Sequence, residues 1–327
     1  MPASTSVCAY GFSHSDYETT PLEELAERDG QPDVAASLLA DGFRDVACSD
    51  RDIAAMAAST IRKTLALAGL SADAVRAVLL CTETMWDRGH TTLIDDRVPD
   101  YRRFQEALMR AVFLESGLLN AHPYANWGAG CSNFTTTLTL ARALVQTEQY
   151  QRVLVVMVER HPPDQPRVIV SPAGNPFVYG DLATSFVVER GETGYIVRHV
   201  LVQPSWRSYR ALHVDRQGSS GGGHWTVAVK ELGRAVEEAS GRPINAFDRI
   251  VTENLHSRLS GVICAATGID PSHMWTPGKG LIGHAFSNDV VFGLGFENTF
   301  DGLDRGQAVG ILNISPWALG FSILDIA

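Results

Sequence analysis

Apolar and polar positions follow two different periods along the chain, and the two periods alternate. Residues 52–69 (DIAAMAASTIRKTLALAG) carry apolar side chains at helical spacing, and residues 101–117 show a similar pattern. The segments AVRAVLLCTET and RVLVVMVER are short apolar runs instead, typical of strands that are buried on both faces. Because such strands alternate with helices, the chain is predicted to have an α/β fold.

The same alternation returns in the second half of the chain. Helices are predicted over residues 224–240 and 256–268, with the strand RIVTEN between them and the strands AVGILNIS and GFSILDIA at the end. The matching order predicts two duplicated halves, residues 1–190 and 191–327, with no low-complexity linker between them.

Composition narrows the classes of protein to consider. A chain of 327 residues with 45% hydrophobic and 20% charged residues is ordinary for a globular enzyme. No apolar run reaches the ~20 residues that span a bilayer, and the amino terminus lacks a signal pattern, so a cytoplasmic protein without membrane contact is expected. The net charge of −10 disfavours nucleic acid as a partner.

Cysteine usage leaves room for at least one working thiol. The five cysteines show no CxxC spacing, which argues against a disulfide framework and predicts no metal site. Cys131 follows three small residues, 128–130, and opens a predicted helix. The helix dipole there favours thiolate and is expected to lower the thiol pKa below ~8.5. The alternative is an inert cysteine that fills a small buried space.

Several segments, in order along the chain, resemble the β-ketoacyl-acyl-carrier-protein synthase III family. NWGAGCSNFTTTLTLARALVQTEQYQRVLVVMVER resembles its nucleophile region, VYGDLATSFVVER its GDGAxA strand pair, and GLDRGQAVGILNISPWALGFSILDI its carboxy-terminal hairpin. The resemblance implies the thiolase fold, a duplicated five-layered αβαβα sandwich, and a homodimer. It also implies that Cys131 carries the acyl group.

The resemblance breaks at the residues that accompany this cysteine. Where the family has a catalytic histidine and asparagine, this chain has Glu253 and His284. An ionised glutamate cannot donate a hydrogen bond to an enolate, so decarboxylative condensation is disfavoured. His284 is the candidate base, with Glu253 orienting the imidazole or acting as the base itself. Glu83, in CTETMWD, resembles the acid/base glutamate of 3-hydroxy-3-methylglutaryl-CoA synthase and is a further catalytic candidate.

The same alignment suggests substrate-binding residues. Asn254 and His256 lie in the segment that replaces the family's histidine motif, and Arg258 matches an arginine that docks the carrier protein. Ala36 and Ala40 replace the pair that clamps the CoA adenine, which favours a carrier-bound donor.

The hairpin that supplies an oxyanion-hole N–H in the family reads Ser315–Pro316–Trp317–Ala318 here. Proline has no N–H. Either Trp317 or Ala318 supplies the second donor, or the Cys131 N–H acts together with a side chain. The large Trp317 ring is also expected to reshape the acyl pocket.

These features together predict an acyltransferase. It would take an acyl group from a carrier-protein or CoA thioester onto Cys131 and transfer it to a hydroxyl, amine or thiol, without a cofactor, in specialised metabolism such as polyketide antibiotic biosynthesis. The alternative is a ketosynthase that forms a C–C bond by Claisen-type condensation. A catalytically silent partner subunit is a third interpretation, disfavoured by the intact surroundings of Cys131.

Overall fold

A large mixed sheet organises the chain. The computed structural model describes residues 6–84, 93–95, 98–99, 101–171, 174–210, 218–296 and 303–327. The strands are β1 Val7–His14, β2 Glu18–Pro21, β3 Asp45–Cys48, β4 Ala77–Thr82, β5 Leu93–Asp95, β6 Val98–Pro99, β7 His122–Trp127, β8 Arg152–Glu159, β9 Val168–Val170, β10 Pro176–Val178, β11 Leu182–Arg190, β12 Tyr195–Pro204, β13 Ile250–Thr252, β14 Met274–Trp275, β15 Ala308–Ile314 and β16 Ala318–Ile326. The helices are α1 Leu22–Asp29, α2 Pro32–Ala40, α3 Ile53–Ala68, α4 Tyr101–Ser116, α5 Asn133–Gln146, α6 Trp206–Tyr209, α7 Gly218–Ser240, α8 Ser257–Thr267 and α9 Asn288–Gly295.

The ten-stranded sheet consists of two halves with the same topology. From the junction outward, one half runs β1, β11, β8, β4, β7 and the other runs β12, β16, β15, β13, β14. In each half these are the first, fifth, fourth, second and third strands in chain order. The halves join through a short antiparallel pairing of Cys8 and Ala9 with Ile196 and Tyr195. The shared order is the structural signature of the predicted duplication, although the division into residues 1–190 and 191–327 as separate domains stays a prediction.

Helices cover both halves and also fill the space between them. α3 and α4 pack on one face of the first half, where Met56 meets Leu80 in one hydrophobic cluster. α7 and α8 cover the second half, with Ile263 in a cluster of its own. α5 and α9 lie between the halves, where Leu138 and Val155 belong to a cluster with residues from both. This arrangement is the five-layered αβαβα sandwich, as predicted.

The predicted helix over residues 52–69 is confirmed together with its ends. α3 begins after Asp52, whose side chain accepts a hydrogen bond from Ala55 N at 2.8 Å, and it stops at Gly69 in the left-handed conformation. Within the described ranges, no helix is both long and apolar enough to cross a membrane.

Candidate active site

Cys131 lies at the sharp turn between β7 and α5. A single 3₁₀ turn, Gly130–Ser132, carries the cysteine directly before α5 starts. Gly128 and Gly130 have φ angles of 86° and 58°, which other residues adopt only rarely, so the turn depends on glycine. Cys131 is only 9% exposed.

The carboxylate of Glu83 holds this turn. Its Oε1 accepts hydrogen bonds from Gly128 N (3.0 Å), Gly130 N (2.7 Å) and Asn133 Nδ2 (2.7 Å). Two backbone N–H groups before Cys131 and one side chain after it therefore bind the same oxygen. The geometry therefore supports a positioning role for Glu83, and its acid/base role stays a prediction.

A hydrogen-bonded chain connects Cys131 to His284 and Asp289. The sulfur lies 3.3 Å from His284 Nε2, and Nδ1 of the same ring lies 2.7 Å from Asp289 Oδ2. Because a carboxylate only accepts, Nδ1 carries the proton in the neutral ring and Nε2 turns its lone pair to the thiol. All three side chains are buried. A thiol, an imidazole and a carboxylate are thus arranged in the order that covalent acyl transfer uses.

Asp289 is not among the residues that the sequence patterns single out, and it occupies the orienting position considered there for Glu253. It lies in the first turn of α9, where an acidic side chain is favoured by the helix dipole. The sequence GHAFSND contained the signal, since an acidic residue that opens a helix five positions after a candidate histidine can fold back to the ring.

The loop that carries His284 is fixed from two sides. Asp289 Oδ1 accepts from Ala285 N at 2.8 Å, while Oδ2 also accepts from Asn254 N at 2.9 Å. Asn254 Nδ2 donates to Gly283 O at 2.7 Å. Asn254 is therefore part of the support of the histidine loop, and its predicted contact with substrate stays a prediction.

Ser287 connects the histidine loop to the nucleophile turn. Its hydroxyl donates to Cys131 O at 2.8 Å and accepts from Phe134 N at 3.2 Å. The spacing between sulfur and imidazole is therefore set by contacts to the backbone as well as by the two side chains.

Burial and nearby carboxylates keep the Cys131 thiol protonated. Burial raises the pKa of Cys131 well above its ordinary value, and the negative charges of Glu253, Asp289, Glu83 and Glu159 add to the rise. This corrects the lowered pKa expected from the helix dipole, whose partial charge is outweighed. A thiol with a raised pKa needs a base before it can act as a nucleophile.

His284 is suited to be that base. Burial alone would lower the pKa of His284, but the charge and hydrogen bond of Asp289, with the charge of Glu253, raise it above its ordinary value. A raised pKa makes the imidazole a stronger proton acceptor once it is neutral.

Glu253 lies directly after β13 and is fully buried. Its Oε1 accepts hydrogen bonds from Asn313 Nδ2 and Ile314 N, both at 2.9 Å. Burial raises the pKa of Glu253 to about 7, although these hydrogen bonds oppose the shift. The carboxyl therefore changes charge near neutral pH and acts electrostatically on Cys131 and His284.

The other binding candidates on this segment lie at the start of α8. His256 Nδ1 accepts from Arg258 N at 3.2 Å and caps the helix, while Nε2 lies 3.2 Å from Ser37 Oγ on α2. Arg258 is exposed in the first turn. His256 thus ties two helices together, and the substrate roles of both residues stay predictions.

One of the two backbone N–H groups considered for the oxyanion hole forms a hydrogen bond within the carboxy-terminal hairpin. Ala318 N donates to Ser315 Oγ at 3.0 Å, which closes the turn around Pro316. Ala318 O accepts from Ser132 Oγ at 2.8 Å and anchors the hairpin beside the nucleophile turn. Of the two predicted backbone donors, Ala318 is therefore used within the hairpin.

Trp317 covers the nucleophile turn. A Cβ added at Gly130 would lie 3.1 Å from the indole Cζ2, so the ring packs directly on that glycine. Trp317 also stacks on the exposed Trp206, with ring centroids 6.1 Å apart. This placement is compatible with the predicted influence of Trp317 on the acyl pocket, which stays a prediction.

Three aromatic rings enclose the base, and none of them was identified from the sequence. The ring centroids of Phe177, Tyr179 and Phe286 lie 5.6, 6.2 and 5.4 Å from that of His284. They come from β10, the residue that follows it, and the histidine loop. The rings limit access of water to the imidazole.

Residues 126–203 match the family model described as 3-oxoacyl-[acyl-carrier-protein (ACP)] synthase III. The match runs from the end of β7 through Cys131 and α5 into β12. Comparison with curated protein sequences gives no match.

Solved structures share the fold over nearly the whole chain. The 3-oxoacyl-[acyl-carrier-protein] synthase III of Aquifex aeolicus is 15% identical, with 98% of both chains covered and a TM-score of 0.72. ChlB3, described as an acyltransferase, is 17% identical, with 98% of both chains covered and a TM-score of 0.77. OleA of Xanthomonas campestris with bound lauric acid and lauroyl-CoA is 15% identical, covering 98% of this chain and 99% of its own, with a TM-score of 0.73. At these identities the likeness establishes the fold alone: the chain has the thiolase fold of these structures, and residues 126–203 resemble 3-oxoacyl-[acyl-carrier-protein] synthase III.

Proposed function

We propose that the protein is an acyltransferase that takes an acyl group from a thioester onto Cys131 and passes it to a hydroxyl, amine or thiol. The observation that carries the proposal is the chain of contacts from Cys131 through His284 to Asp289. A buried base with its lone pair on the thiol is what a nucleophile with a raised pKa requires.

Acylation begins with proton transfer from the Cys131 thiol to His284 Nε2. The sulfur attacks the thioester carbonyl, a C–S bond forms, and the carbonyl electron pair moves to oxygen. Collapse of this tetrahedral intermediate breaks the C–S bond to the departing thiol, which takes the proton from His284. Asp289 stabilises the imidazolium between the two transfers, because its carboxylate accepts the Nδ1 proton in a hydrogen bond.

Transfer repeats the sequence with the acceptor as nucleophile. His284 Nε2 removes the proton of the incoming hydroxyl, amine or thiol, which attacks the acyl carbon on Cys131. When the new intermediate collapses, the Cys131 C–S bond breaks and the proton returns to the sulfur. The same base thus serves both half-reactions.

Decarboxylative condensation is less compatible with this arrangement. It requires neutral donors aimed at a developing enolate oxygen, whereas neutral His284 presents an acceptor at Nε2. Glu253 adds negative charge near the same sulfur once it is ionised.

The donor and the assembly are further parts of the proposal. Exposed Arg258 offers a positive charge to an acidic carrier protein on a chain of net charge −10. β7 is an edge strand of the described sheet, and its first residues, His122 and Pro123, are exposed. Such an edge can pair with a second copy, which supports a homodimer. A role in specialised, polyketide-type metabolism rests on the departures of the site from the family pattern.

The experiment combines an intact mass measurement with product analysis. The protein is incubated with CoA and carrier-protein thioesters of several acyl chains, and then with hydroxyl, amine and thiol acceptors. We expect added acyl mass on Cys131 and a product with a new C–O, C–N or C–S bond. Absence of acylation with every donor would overturn the proposal.

Carbon–carbon bond formation is the second candidate. The pKa of about 7 at Glu253 suits a group that removes a proton from a donor carbon, which favours a Claisen-type reaction. OleA and the 3-oxoacyl-carrier-protein synthases share the fold. A β-keto product from two thioesters in the same assay would support this candidate over the first.

A further inference from the structure

The acylation step needs hydrogen-bond donors for the oxygen that becomes negative. In the hairpin beside Cys131, Pro316 has no N–H and the Ala318 N–H is directed to Ser315 Oγ at 3.0 Å. The Trp317 N–H is the backbone candidate that remains in this hairpin, and a side chain beside the sulfur is the alternative source of a donor. This inference rests on the proposed acyl transfer.

The backbone on both sides of Tyr179 is bound to the loop of the catalytic base. His284 N donates to Val178 O at 2.8 Å, and Gly180 N donates to His284 O at 2.9 Å. A Cβ at Gly180 would lie 2.0 Å from Ile282 O, so only glycine allows this approach. The position of Tyr179 relative to the imidazole is thereby fixed.

Two other rings stack on the Tyr179 ring. The centroid of the His161 ring lies 5.2 Å from that of Tyr179 at an interplanar angle of 11°. The centroid of the Phe286 ring lies 5.6 Å away at an angle of 13°. Phe286 has a φ of 54°, a conformation that is costly for an aromatic residue and that clusters at functional sites. The loop therefore adopts a strained backbone where it places Phe286 against Tyr179, and the stack restricts rotation of the phenol.

The Tyr179 ring lies close to the nucleophile, because its centroid is 6.2 Å from that of His284, whose Nε2 lies 3.3 Å from the Cys131 sulfur. Burial raises the pKa of Tyr179 to about 12, and the negative charge of the Cys131 thiolate contributes to that rise. A phenol with this pKa keeps its proton across the working range of an enzyme. Tyr179 is therefore a permanent hydrogen-bond donor beside the nucleophile.

We propose that the Tyr179 hydroxyl donates a hydrogen bond to the thioester oxygen as it becomes an oxyanion, acting with the Cys131 N–H. When sulfur attacks, the carbonyl pair moves to oxygen and the Tyr179 O–H bond points to the new charge. The phenol keeps its proton throughout, and the hydrogen bond weakens again when the intermediate collapses. The charge exists only in the intermediate and its transition states, so this contact accelerates the reaction without tightening the binding of substrate.

Tyr179→Phe removes the hydroxyl and preserves the ring that stacks on His161 and Phe286. We expect the single-turnover rate of Cys131 acylation to fall by about 10²–10³-fold, the loss typical of one oxyanion donor, with unchanged substrate Kd. Tyr195→Phe, at a half-buried tyrosine on β12, is the matched control and should keep the rate of the unmodified protein.

Two further measurements separate an oxyanion role from a structural one. Alkylation of Cys131 by iodoacetamide forms no oxyanion, so Tyr179→Phe should leave its rate unchanged while His284→Ala lowers it. An acyl-chain aldehyde forms a hemithioacetal with Cys131, and its affinity should fall in Tyr179→Phe together with the acylation rate.

The outcomes are distinguishable from failure of the proposed function. If the unmodified protein does not become acylated, the proposed function fails first. If it does, and Tyr179→Phe acylates at a similar rate, the oxyanion role is overturned. An equal loss in alkylation and acylation would likewise overturn it, because Tyr179 would then act on the thiol itself.

Discussion

Replacing Asp289 with asparagine tests whether a carboxylate orients and charges the catalytic base. In the native site, Asp289 Oδ2 accepts from His284 Nδ1 at 2.7 Å and from Asn254 N at 2.9 Å, while Oδ1 accepts from Ala285 N at 2.8 Å. Three donors therefore converge on two oxygens. An asparagine has only one oxygen, so at least one of these donors must face an NH₂ group.

Either orientation of the new amide damages the site. If its NH₂ faces His284, Nδ1 becomes the acceptor, Nε2 carries the proton, and the imidazole no longer presents a lone pair to Cys131. If its NH₂ faces Ala285, a buried backbone N–H loses its partner, at a cost of about 1–3 kcal/mol. The first outcome is the tautomer error that lowers kcat by about 10⁴ in a serine protease triad, so we expect a loss of about 10²–10⁴-fold here.

The assay is the pH dependence of single-turnover acylation of Cys131. The charge of Asp289 raises the pKa of His284 above its ordinary value, so the rate should increase with pH along a limb where His284 loses its proton, at a higher pH than for an ordinary histidine. Without that charge the limb should move to lower pH, and the plateau should drop. Asp270→Asn, at an exposed aspartate that caps a short 3₁₀ turn, is the matched control and should change neither.

A variant that keeps the plateau within about tenfold and the limb in place would refute the assigned role of Asp289. If the acylation rate of Asp289→Asn falls because the protein unfolds, its melting temperature will be lowered. Asp289→Glu then offers a second test, because it retains the negative charge.

Three further predictions concern the other groups around the sulfur. His284→Ala should slow transfer to the acceptor by about 10²–10⁴-fold and abolish the ascending limb of the pH profile, and a retained limb would contradict the base assignment. Glu83→Gln keeps an oxygen for the amides of the nucleophile turn, so its acylation rate should stay within about tenfold of the native rate. Glu83→Ala removes that oxygen and should lose acylation. Inactivity of both variants in a correctly folded protein would favour acid/base chemistry by Glu83. Malonyl thioester should be decarboxylated slowly, and the rate should be lowest above pH ~7, where Glu253 is ionised. Rapid CO₂ release above that pH would contradict this prediction.

Much of the framework was predictable because it depends on local patterns. The period of α3, its caps at Asp52 and Gly69, and the buried run of β8 are encoded in adjacent residues. Cys131 and His284 were singled out because each lies in a segment that resembles a family motif. Neither position required knowledge of how the segments meet.

The remaining parts depend on contacts between distant segments. Asp289 reaches His284 only through the way the loop turns into α9, and the ring stack of Tyr179 combines His161 with Phe286 from another part of the chain. The thiol pKa of Cys131 was expected in the wrong direction, because the burial and the carboxylates that raise it become apparent only in the folded protein.

The most direct test of the central claim is transfer from an isolated acyl-enzyme. The protein is acylated, freed of donor, and mixed with an acceptor, and its intact mass is followed with time. We expect that the added mass maps to Cys131, is absent in Cys131→Ala, and disappears as an equal amount of acylated acceptor forms. Persistence of the acyl group in the presence of every acceptor, or full turnover by folded Cys131→Ala, would contradict it.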